Sequence, residues 1–139
     1  HYDLPLEAIF RGVERACRST RGVVMALGRF DWAPRKLTFG SVGNVEARVF
    51  GASEPMSFRV RRGVIGANSP APMVTEHHWA LSNVLVLHSD GLKAIGRWED
   101  RPQLWEAPAA VAAQGLLRLL AKEDDDATVV VVKQSCVSS

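Results

Sequence analysis

VLVLHSDGL, residues 84–92, runs apolar residues straight into His88-Ser89-Asp90-Gly91. Val84, Leu85, Val86 and Leu87 have the unbroken apolar character of a short strand buried on both faces. That strand ends on a carboxylate, and Gly91 behind it lets the backbone turn sharply. EDDDATVVVVK, residues 123–133, repeats the plan in reverse: Asp124, Asp125 and Asp126 stand directly before an apolar run, 127–133, that reads as the last strand. Acids at the ends of adjacent buried strands are held rigidly and can point into one cleft, where they repel unless a cation sits between them. Hard divalent ions such as Mg²⁺ and Mn²⁺ take oxygen ligands of this kind. The competing reading is that Asp-Gly is a turn pair and the acidic run a solvated loop. Local pattern alone leaves both open.

Working outward, Asp3 can cap a helix with Pro5 in its first turn, and Leu6, Ile9, Phe10, Val13 and Cys17 then fall on one face. Arg11, Glu14, Arg15 and Arg18 take the other face, and the helix should stop near Ser19 and Thr20. Residues 22–30 read as a strand and 31–35 as a turn. Residues 37–42 and 45–50 both alternate, with Gly43-Asn44 as a turn or bulge signal between them, which predicts an antiparallel hairpin. A short strand is expected at 57–61, mostly loop over 62–79, and polar, irregular chain over 96–103. From Pro108, the positions Ala112, Gly115, Leu116, Leu119 and Leu120 form an apolar stripe at helical spacing. Residues 134–139 read as a frayed tail. Helix, several strands, helix and strand, in that order, predict an α+β domain of antiparallel strands with helices laid over them.

Composition limits the functions. The chain has 139 residues, enough for one domain with a substantial core, and 47% are apolar against 23% charged. A net charge of +2 demands no polyanionic partner, so nucleic-acid binding is a poor fit. Cys17 and Cys136 match no metal-binding spacing; one disulfide between them stays open, and free thiols in a reducing cytoplasm are the simpler reading. No apolar run reaches the length of a membrane span, and the first residues do not read as a signal peptide.

The series LTFGSVGNVEARVF, RRGVIGA, VLVLHSDGL and EDDDATVVVVK, in this order over about residues 4–133, resembles the metal-dependent protein serine/threonine phosphatases of the PPM (protein phosphatase 2C) type. Within them it is most similar to the bacterial SpoIIE-like branch. The resemblance implies a β-sandwich of two antiparallel sheets with helices on both outer faces, αββα, formed by a single domain over 1–139. Matched to the family's S-D-G segment, Asp90 is implied as a metal ligand, with Gly91 beside it. Aligned on Thr128, Asp125 is implied as a second ligand, Asp126 as its orienting neighbour, and Asp124 as an extra acid without a role. Gly43 and Asn44 fall on a turn beside the active face, and Gly63 and Gly66 on a loop flanking the substrate entrance.

The activity implied is hydrolysis of phosphoserine or phosphothreonine in a regulatory phosphoprotein, an anti-sigma-factor antagonist or a stress-complex scaffold. Two Mn²⁺ or Mg²⁺ ions, about 3.5–4 Å apart, would activate a bridging water for in-line attack on phosphorus. No side chain is expected to act as the nucleophile or the acid. One departure matters. The family carries a further Asp-Gly near its N-terminal end, in a D-G-x-G-H-G type motif whose Asp bridges both metals, and no residues here match it. The expectation is therefore an N-terminally incomplete domain in which Asp90 and Asp125 hold at most one ion weakly, with little or no turnover. The alternative is a catalytically incomplete, phosphatase-like domain that binds a regulatory partner protein.

Other residues carry weaker signals. His77 and His78 are adjacent, so on an extended chain they point opposite ways and do not share an ion. His88, two residues before Asp90, is a packed strand residue or a group supporting a metal ligand. Arg59, Arg61 and Arg62 precede the G-x-x-G loop; Arg61 and Arg62 are candidates to meet a substrate phosphate, against the simpler reading of a solvated edge. No serine sits in a G-x-S-x-G setting. Trp32, Trp79, Trp98 and Trp105 fall on separate, loop-like segments as interface anchors or core residues.

Overall fold

The structure, a computed structural model, describes residues 4–51, 56–93 and 102–134. The chain divides into two compact units, residues 1–45 with 58–79 and residues 46–57 with 80–139.

In the first unit, α1 (Leu6–Cys17) precedes a three-stranded antiparallel sheet of β1 (Met25–Asp31), β2 (Lys36–Val42) and β4 (Met73–His78), in the order β1-β2-β4. The central strand, β2, buries Leu37, Phe39 and Val42. The helix turns its predicted stripe inward and buries Leu6 and Phe10. Phe10 approaches the sheet at Gly40, where a Cβ would come within 3.2 Å of its ring. Phe10, Val42 and Ile65 form the core here, joined by Val13, Met25 and Leu27. Pro5 stands at the helix N-cap, and its carbonyl accepts from Ala8 N–H at 3.0 Å. Asp3, the expected cap, lies outside the described residues.

In the second unit the antiparallel order is β3-β5-β6, from Glu46–Phe50, Val84–His88 and Val129–Lys133. The short helix α2 (Pro102–Glu106) and α3 (Ala109–Leu120) complete it. As expected, β5 is buried along nearly its whole length. Phe50, Val84 and Val86 form one core with Leu92, Leu104, Leu116 and Leu120. Trp105 stacks on Phe50 with ring centroids 5.1 Å apart. Lys133 Nζ donates to the carbonyls of Trp105 and Ala107, at 2.6 and 2.8 Å, and so ties the end of β6 to the helical region.

Several expectations are corrected. Residues 37–42 and 45–50 do not form a hairpin: β2 joins one sheet and β3 the other. Gly43 takes φ +108° and donates its N–H to Arg61 O at 2.8 Å, which steers the chain out of the β2 ladder. The expected loop over 62–79 contains β4, a strand whose Glu76 and His78 are exposed while its backbone pairs with β2. No strand forms at 57–61. The β4 pairing ends at Ser41↔Met73, and Arg61 makes only a single bridge to the next residue, Val42. The strand expected over 22–30 starts later, at Met25, because Gly22 is left-handed at φ +86° and Val23 bridges Ile65 instead. In α3 the buried stripe is Ala112, Leu116 and Leu120, and Leu119 is exposed. The last strand, β6, is an edge strand whose Val130 is exposed.

Of the tryptophans, Trp79 is buried edge-on to Phe30, 4.9 Å between centroids, and the exposed Trp32 stacks on the same ring. Trp98 and most of the irregular stretch expected at 96–103 lie outside the described residues, as do residues 135–139 of the expected tail. Among the described residues, no helix is long and apolar enough to cross a membrane. The class is α+β, with antiparallel sheets and flanking helices, as the sequence predicts.

Candidate functional site

The SDG and DDDAT segments meet at one edge of the second unit. The β5–β6 ladder ends in the pair His88↔Val129, and the next residues continue it in modified form. Ser89 N–H donates to Thr128 O at 3.0 Å, and Thr128 N–H donates back to the Ser89 hydroxyl at 3.0 Å. Beyond this reciprocal pair the two chains press together at Gly91, where a Cβ would sit 2.0 Å from Asp126 O. Only glycine fits there, because the obstacle is backbone and cannot rotate aside. The other side of the turn is fixed by the end of α3: Lys93 N–H reaches Leu120 O at 2.7 Å, and Lys122 N–H reaches Gly91 O at 2.9 Å. Lys122 also donates its ammonium to Asp90 O at 2.7 Å.

Asp90 is thereby brought beside the Asp124–Asp126 run, and all four of these acids are solvent-exposed. Among the described residues, no group of three or more His, Cys, Asp or Glu side chains is placed to hold a metal ion. A two-ion site needs more converging oxygen ligands than this edge supplies.

His88 is buried with its ring between two partners. Nδ1 lies 2.9 Å from Ser89 O, an acceptor, so that nitrogen carries a proton. Nε2 lies 3.4 Å from Glu46 Oε2, on the cross-strand partner of His88, but makes no properly directed hydrogen bond.

Gly43, Gly63, Gly66, Arg59, Arg61 and Arg62 belong to the first unit, apart from the acids. Gly43 is buried against Val24 and bonded to Arg61, and the Asn44 side chain beside it is exposed. Gly63 takes φ +121° next to Pro70, and Gly66 packs on the Gly22 backbone. The side chains of Arg61 and Arg62 are exposed. His77 and His78 differ in exposure, as alternation requires. His77 Nε2 is 2.7 Å from Thr75 Oγ1, its ring stands edge-on to Phe58, and burial lowers its pKa below 6.5.

Three residues of the acidic edge escape a reading centred on carboxylates. Ser89 and Thr128 flank the acids within the quoted motifs, and their polar side chains beside strand ends are the signal that points to them. Lys122 gives no such signal, because its role depends on where α3 ends.

No model of a known protein family matches the chain, and no curated protein matches it either. Solved structures do. One, from work on the bacterial stressosome as "a modular system that has been adapted to control secondary messenger signaling", superimposes with a TM-score of 0.83 at 24% identity. It covers 93% of this chain and 68% of its own. RsbX in complex with magnesium matches with a TM-score of 0.77 at 17% identity, over 94% of this chain and 65% of that one. The phosphatase domain of the cell fate determinant SpoIIE from Bacillus subtilis, presoaked with Mn, gives 0.53 at 14% identity, over 94% and 66%. This chain therefore spans about two thirds of the lengths of the structures it matches. At these identities the likeness is one of architecture: the chain has the PPM-phosphatase-like α+β fold found in the SpoIIE phosphatase domain and in RsbX.

Proposed function

We propose that this chain is a PPM-phosphatase-type regulatory domain of a bacterial stress or sigma-factor signalling system, and that these residues act by binding a partner protein rather than by turnover. The observation that carries the reading is the acidic edge. Asp90 and the aspartate run are locked side by side, yet among the described residues no group of three or more His, Cys, Asp or Glu side chains is placed to hold an ion. The stressosome and RsbX likenesses support the signalling setting. In this reading Asp90 and Asp125 are the chain's contribution to a divalent-ion site, Asp126 and Gly91 shape that edge, and Gly43, Asn44, Gly63 and Gly66 belong to partner-contacting loops of the first unit. The partner is an anti-sigma-factor antagonist or a stress-complex scaffold protein.

The second reading is an active phosphatase for phosphoserine or phosphothreonine, favoured by the fold shared with the SpoIIE phosphatase domain. Mn²⁺-dependent phosphate release from a phosphoserine protein separates the two, with Asp90→Asn as control. Background release from both proteins is the expected result. Turnover that Asp90→Asn abolishes would replace the binding reading with the enzymatic one.

A further inference from the structure

In the first unit, residues 21–24 and 60–65 form a surface that neither the acids nor the fold explains. Val23 and Ile65 exchange backbone hydrogen bonds, 3.0 Å from Val23 N–H and 2.7 Å from Ile65 N–H. Arg61 O accepts from Gly43 N–H, and Gly43 in turn lies under Val24. Gly22 backs onto Val64, whose Cγ2 would lie 3.1 Å from a Cβ there. These contacts hold the two stretches in place, yet they leave valines in water. Val23, Val24, Val60 and Val64 are 37%, 44%, 51% and 46% exposed, while Ile65 is 1% exposed. Four exposed aliphatic side chains gathered on two bridged stretches make a candidate interaction surface.

The charge on these segments is of one sign. Arg21, Arg59, Arg61 and Arg62 are all exposed, and residues 15–30 and 56–75 contain no Asp or Glu. Among the described residues, none of these four guanidiniums is in an ion pair. We propose that this surface docks an acidic segment of a partner protein, with carboxylates paired to the arginines and aliphatic side chains covering the valines. The proposal deepens the partner-binding reading and rests on it. A protein segment suits the surface better than a single-stranded nucleic acid. Its apolar element is aliphatic and offers no aromatic platform for bases, and the net charge of the chain is only +2. Guanidiniums on the same segments as the exposed valines match carboxylates in geometry and steer an acidic partner into place.

The test is fluorescence anisotropy with the full 139-residue chain and labelled probes. The probes are a short peptide alternating Glu and Leu, its Lys and Leu counterpart, a poly-Glu peptide and a single-stranded oligonucleotide. The Glu/Leu peptide is expected to bind most tightly. Binding should weaken about tenfold or more in the double variant Arg61→Glu, Arg62→Glu, as loss and reversal of two paired charges requires. Val64→Ser should weaken it severalfold while leaving the thermal transition in place. Absence of saturable binding, equal affinity for poly-Glu or the oligonucleotide, or full retention of binding in both variants would overturn the proposal. Phosphate release read on the same proteins keeps the two ideas apart. Turnover with peptide binding intact overturns only the non-catalytic reading. Lost peptide specificity without turnover overturns only this surface.

Discussion

The Asp90 turn in the second unit and the stretch from Arg61 to Ile65 in the first are both irregular chain, and both fix their backbone while leaving charged side chains in water. They achieve this differently. The Asp90 turn extends a ladder already in register: the β5–β6 pairing passes into the Ser89–Thr128 exchange and then into the close approach of Gly91 to Asp126. The arginine stretch has no ladder to extend. It is held by single bridges, Arg61 to Val42 and Ile65 to Val23, between glycines in left-handed conformations. Where a sheet supplies the rigidity, a glycine serves close approach; where none does, glycine supplies the unusual dihedral angles.

Substitution by alanine at each glycine breaks this comparison most sharply. Gly91→Ala forces a Cβ into the Asp126 carbonyl and should cost about 3 kcal/mol, the top of the overpacking range, read by urea unfolding. Gly63→Ala meets only Pro70 at 3.3 Å and carries mainly the left-handed penalty, about 1 kcal/mol. Equal losses at the two sites would show that the Asp90 turn is not packed as described. Ser89→Ala removes the acceptor for Thr128 N–H and should cost about 1 kcal/mol, with the early part of β6 losing amide-exchange protection first. Protection unchanged at Thr128 would mean that the hydroxyl is not what holds the edge.

The smallest expected effect lies in β4. Burial lowers the His77 pKa below 6.5, so the unfolded chain takes up the proton more readily than the folded one. The contribution of His77 is full above about pH 6.5 and declines as pH falls below that value. The melting temperature should therefore fall more steeply on acidification in the parent protein than in His77→Gln. Parallel slopes would remove His77 as the cause.

Much of this was readable beforehand, and the limits have physical reasons. The acidic edge was legible because its signals are local: an apolar strand, an acid and a glycine that no other residue can replace. Helix α1 was legible because its apolar period is strong, as Leu6 and Phe10 confirm by their burial. Strand β4 was not, since Met73-Val74-Thr75-Glu76-His77-His78 has little apolar alternation and becomes a strand by pairing with β2. The false hairpin between β2 and β3 arose because two alternating runs around Gly43-Asn44 look alike whether they pair with each other or with distant partners. That Arg61 takes the hydrogen bond of Gly43 is a tertiary fact without a local pattern. Nor did any residue spacing announce that Lys122 would reach the Asp90 carbonyl.

The central claim is that this chain combines a phosphatase-type fold with an acidic edge that, among the described residues, lacks the donors for a two-ion centre. Titration with Mn²⁺, followed by electron paramagnetic resonance, tests it most directly in the parent protein, Asp90→Asn and Asp125→Asn. The account predicts at most one weakly held ion, lost in either variant. Two tightly held ions in the parent protein, or binding that survives both substitutions, would contradict it.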